Sequence, residues 1–105
     1  MTKKLPPPPG AYTDFIARYP KLGEAWEAIH EAGSLGPLTP ETQRLIKLAI
    51  AIGAMKQGAV HSSVRKALAE GIPMESLEQV VALAAGTLGM PSTVAAFTWL
   101  HDRKS

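Results

Sequence analysis

Three side chains invite chemistry first. Gln57, His61 and Arg65 recur every four residues, so on a helix they share one face. An imidazole is the side chain best suited to moving a proton near neutral pH. Gln57 would orient the ring of His61 and leave its other nitrogen for a substrate. The competing reading is a histidine hydrogen-bonded at the start of a packed helix, or at a subunit contact. Arg44 and Lys56 would bind a substrate carboxylate if both line one pocket, or else lie on solvated helix ends. His30 and His101 fall in polar-flanked, surface positions. The three histidines have neither His-x-His nor i, i+4 spacing, so no metal site is expected within one chain.

Cysteine is absent, which excludes disulfides, thiolate catalysis and cysteine-ligated metal. Of the 105 residues, 46% are apolar and 19% charged, which excludes a disordered chain and fits a small packed helical unit. The net charge is +2 and the cations are scattered, so no nucleic-acid partner is expected. The longest apolar run, Leu48 to Met55, is too short to cross a bilayer, and no membrane partner is expected. No signal-peptide-like run follows the N-terminal lysines, and the expected compartment is the cytoplasm.

The elements that would position these groups are all helices. Residues 1–10 form a proline-rich arm, with Pro6 to Pro9 favouring polyproline II, and 11–105 a single helical domain. A helical stretch from Ala11 to Ala32 breaks at Pro20 and stops at Gly33. The next helix has Thr39 as cap, Pro40 at its first position and Glu41 at its positive end. Leu45 to Ile52 make it apolar nearly all round, so it should be central and covered on most sides. Gly53 loosens or ends it. A helix from about Gly58 to Glu70 carries the stripe Val60, Val64 and Leu68 and stops at Gly71. Pro73 opens another, with Leu77, Val80, Val81, Ala84 and Leu88. Pro91 opens the last, with Val94, Ala95, Phe97, Thr98 and Trp99. Trp26 and Trp99 read as packing anchors, and Met55, Met74 and Met90 as core or interface filler. No stretch alternates with period two.

The order of these landmarks resembles the carboxymuconolactone decarboxylase and alkyl hydroperoxidase D-like superfamily. The resemblance covers roughly residues 38–100. The family pattern has an acidic residue early in one helix, then Cys-x-x-Cys-x-x-x-His opening the next. A glycine stop, a proline-started helix and a Gly-x-Pro opening follow, matched here by Gly71, Pro73 and Gly89-Met90-Pro91. The resemblance implies an all-α domain of five to six helices that assembles as trimers or hexamers. An ungapped alignment puts Arg44 in the acid position, Lys56 and Ala59 in the cysteine positions and Ser63 in the histidine position. Ser63 thereby joins Arg44 and Lys56 as a substrate-binding candidate. A two-residue shift would instead put His61 in the histidine position. It would put Ala54 and Gln57 in the cysteine positions, and Thr42 in the acid position. Neither register restores a thiol, so thiol peroxidase chemistry should be absent. The decarboxylase branch works without the cysteine pair, and there a histidine is expected to manage a proton on a small acidic lactone.

Two functions follow. One is a cysteine-less relative that acts on or binds a small organic molecule where the Thr39 and Gly58 helices meet, with His61 handling the proton and no cofactor. The other is a non-catalytic homo-oligomeric helical module. A pocket lined by His61 beside a cation favours the first. A His61 with both nitrogens satisfied and no adjoining cavity favours the second.

Overall fold

A computed structural model describes residues 10–102. The expected proline run and the polar end of the tail lie outside them. Among the described residues there are six helices and no strand. They are α1 (Gly10–Arg18), α2 (Pro20–Ser34), α3 (Pro40–Gly53), α4 (Gln57–Ala69), α5 (Met74–Leu88) and α6 (Met90–Leu100). The chain is all-α, as the residue pattern requires.

Local chemistry sets most boundaries. Pro20 starts α2. At α3 the Thr42 amide donates to Thr39 Oγ1 at 3.2 Å, Pro40 occupies the first turn and Glu41 meets the helix dipole. The end of α4 is a Schellman turn. The Gly71 amide donates to Leu68 O at 3.0 Å and the Ile72 amide to Ala67 O at 3.0 Å, with Gly71 at φ 89°. Gly89, at φ 85°, ends α5 and caps α6 at once. An L side chain there would sit in the left-handed region.

Some expectations need correcting. The second helix does not stop at Gly33 but continues to Ser34, whose Oγ donates to Glu31 O at 2.8 Å. Gly10 belongs to α1, not to an arm. Gly53 is the last residue of α3, but the left-handed position that turns the chain is Met55, at φ 54°. Its amide donates to Ile52 O at 2.9 Å and that of Lys56 to Ala51 O at 3.1 Å. This is a second Schellman turn, with methionine where glycine is usual.

Helices α3 to α6 form a four-membered ring in which α3 packs on α4 and α5, and α6 packs on the same two. Inside it lie Leu48 and Ile52 of α3, Val60 and Val64 of α4, Leu77 and Val81 of α5, and Leu100 of α6. Each such side chain contributes about 1.5–3 kcal/mol by leaving water. The one buried polar side chain among the described residues, Thr93, donates through Oγ1 to Gly89 O at 2.8 Å.

The ring covers only one face of α3. Ile46 and Ile50 remain 41% and 65% exposed, so α3 is not enclosed within one chain as its composition had suggested. In α6 the buried face is Thr93, Ala96 and Leu100, while Val94 and Phe97 point outward. Helices α1 and α2 pack on each other and bury no residue. Trp26 is therefore an exposed flank, not a core anchor, and Met90 is also exposed.

Candidate functional site

The turn after α3 returns the chain as α4, and His61 sits early in that helix. Its ring is about one-quarter exposed, yet Nε2 is buried with no hydrogen-bond partner among the described residues. The closest acidic group is Asp102 just past α6, with Oδ2 at 3.5 Å from Nε2. That is an ion-pair distance without the alignment of a hydrogen bond. A half-buried imidazole beside a carboxylate is placed to pass a proton.

The other expected groups do not gather around His61. Gln57 is exposed, and no hydrogen bond joins it to the ring. Lys56 is the exposed residue before α4, and its side chain makes no cap. The guanidinium of Arg44 is engaged by Glu70, with Nε–Oε1 at 3.1 Å and Nη2–Oε2 at 2.9 Å. This two-pronged bridge links α3 to the end of α4. Ser63 is half-buried on α4. His101 pairs with Glu78 of α5 at 2.9 Å. His30, expected at the surface, is half-buried, with the Trp26 ring edge-on at 5.0 Å.

Asp102 was not legible as a partner of His61, since only the return of α6 along α4 brings the two together. A second grouping was also missed. Lys47 Nζ lies 3.2 Å from His30 Nδ1. An ammonium only donates, so Nδ1 accepts, and a neutral ring carries its proton on Nε2. Burial, then Lys47 and Lys66, push the His30 pKa below its ordinary value, against a smaller opposing effect of Glu27. Burial, then Arg44 and Lys47, likewise lower that of Lys66. The Arg44-x-x-Lys47 spacing was a sequence signal for this face.

A cavity lies elsewhere. A groove of about 550 Å³ runs between α3 and α5, walled by Leu45, Ile46, Ala49, Val80, Leu83 and Leu88. No titratable side chain lines it, and neither does His61. Among the described residues no three His, Asp or Glu side chains are grouped to hold a metal ion, and no helix is long and apolar enough to cross a membrane.

The family model of carboxymuconolactone decarboxylases matches residues 20–102, from the start of α2 to Asp102. The chain belongs to the carboxymuconolactone decarboxylase family. No curated protein and no solved structure matches it. Of the residues that the ungapped register would put in the acid and histidine positions, Arg44 is tied to Glu70 and Ser63 is half-buried on α4.

Proposed function

We propose that this family member works as a homo-oligomer on a small organic molecule, using His61 and Asp102 as its proton-handling pair and no thiol chemistry. The observation that carries the reading is the buried, unbonded Nε2 of His61 at 3.5 Å from the Asp102 carboxylate. An orphaned buried nitrogen costs free energy unless something else completes it, and a substrate proton would do so. Family membership favours a decarboxylase-type reaction, in which a small acid loses carbon dioxide after proton transfer. The test offers a small acidic lactone to the protein and follows carbon dioxide release. Turnover that falls at least about 100-fold in His61→Ala supports the reading. Turnover equal in His61→Ala and wild type overturns the role of His61.

A second reading, a non-catalytic oligomeric module, has its own support. The cavity between α3 and α5 is lined without any titratable group, as suits a docking surface better than acid–base chemistry. No turnover of lactones together with stable self-association would favour it.

A further inference from the structure

The cationic face where His30 of α2 meets Lys47 of α3 is separate from the His61 pair. Lys66 is five residues beyond His61, about 140° further around α4 at 3.6 residues per turn. Three elements supply its groups. His30 and Glu27 come from α2, Arg44 and Lys47 from α3, and Lys66 with Arg65 from α4. The bridge from Arg44 to Glu70 fixes the arrangement. Glu70 follows Lys66 by one helical turn, and Arg44 precedes Lys47 by one, so the bridge sets Lys66 against the Arg44–Lys47 face.

The charges on this face do not balance. Arg44 and Glu70 neutralise each other. Of the other groups that act on His30 and Lys66, two ammonium groups, a protonatable imidazole and Arg65 stand against Glu27. Among the described residues neither Lys47 nor Lys66 has a carboxylate within ion-pair distance. An ordinary surface lysine swings away from like charge into water. Here Lys66 is half-buried, and Lys47, though exposed, is held on the ring of His30 at 3.2 Å. Like charges kept together without a counter-ion form a site that an anion completes.

We propose that His30, Lys47 and Lys66 form a binding site for a small oxyanion, a phosphate or carboxylate group, with Trp26 as the flank for an organic body attached to it. Lys47 and Lys66 donate to the anion's oxygens. His30 joins them once protonated, when its Nδ1 turns from acceptor to donor and releases Lys47 toward the anion. The exposed Trp26 ring, edge-on to His30, offers apolar surface beside the charge. Protonating His30 adds a third positive donor, so the anion binds more tightly as pH falls. The groups facing His30 in that change are Lys47, Lys66, Arg44 and Glu27.

The test titrates the full chain with inorganic phosphate and, separately, citrate, with sodium chloride holding ionic strength constant, while NMR follows the imidazole C–H signals. The expected result is a saturable shift of the His30 signals and an upward move of the His30 pKa with at least one of the two anions. Lys47→Gln and Lys66→Gln should each weaken binding about tenfold, the loss typical of one charge-assisted hydrogen bond. Lys66→Arg should retain it. His61→Ala should leave it intact, so failure of the proton-handling reading would not touch this site. Response to phosphate alone assigns a phosphate-bearing ligand, and response to citrate alone a carboxylic acid. A His30 response to both no larger than that to chloride would overturn the site. So would undiminished affinity in a folded double variant, Lys47→Gln with Lys66→Gln.

Discussion

At the scale of single residues, two histidines sit in opposite surroundings. His61 lies beside a carboxylate and His30 among cations. His30 therefore carries a definite pH dependence. Its folded pKa is below the ordinary 6.5, so as pH falls the unfolded chain takes up a proton that the folded chain resists. Stability is retained above that ordinary value and is lost as pH drops toward the folded pKa. Thermal unfolding between about pH 7.5 and about pH 5 should show a smaller loss in His30→Gln than in wild type. Equal losses would remove His30 as a source. Lys66 obeys the same sign in the alkaline range, below its ordinary 10.5. The sequence singled out His61 because its type is informative by itself. It gave no hint of Asp102, 41 positions away, and His30 read as a surface residue because its cationic neighbours come from other helices.

At the scale of elements, the boundaries were legible where proline or a capping hydroxyl marks them. Thr39-Pro40, Pro20 and Gly89-Met90-Pro91 all set helix starts. Thr39→Ala should lower stability by about 1 kcal/mol, measured by urea unfolding, because the Thr42 amide loses its acceptor. The turn between α3 and α4 was not legible, because nothing about methionine announces a left-handed conformation. Met55 adopts φ 54°, which costs an L residue roughly 1–2 kcal/mol. Met55→Gly should therefore stabilise the protein by up to about 1 kcal/mol, while the β-branched Met55→Val should lower its melting temperature. A large loss in Met55→Gly would show that the partly exposed Met55 side chain contributes more by packing than its backbone costs.

For the whole molecule, the amount of apolar surface was legible but its disposition was not. Composition alone made α3 central, whereas the ring of helices covers one side, leaving Ile50 exposed and Ile46 open in the groove it shares with Leu83 of α5. Helices α1 and α2 add Phe15, Leu22, Trp26 and Ile29 to the uncovered surface. Apolar surface removed from water is worth about 25 cal/mol per Å², a contribution that would favour association through these faces. The chain should sediment as a closed homo-oligomer at micromolar concentration. Ile50→Asp together with Leu83→Asp should shift it to monomer with helicity retained, as circular dichroism would register. A wild-type monomer would refute the expectation. With no cysteine, turnover of peroxide with a dithiol reductant should also be absent, and robust metal-free turnover would contradict it.

Gly89 leaves α5 and α6 no slack, since a single residue separates Leu88 from Met90. Their far ends are latched by His101 on Glu78 at 2.9 Å. The two helices therefore leave the turn side by side as one hairpin. One arm walls the apolar groove, and just past the tip of the other Asp102 stands 3.5 Å from His61. A residue inserted at Gly89 would thus disturb the groove wall and the carboxylate at once.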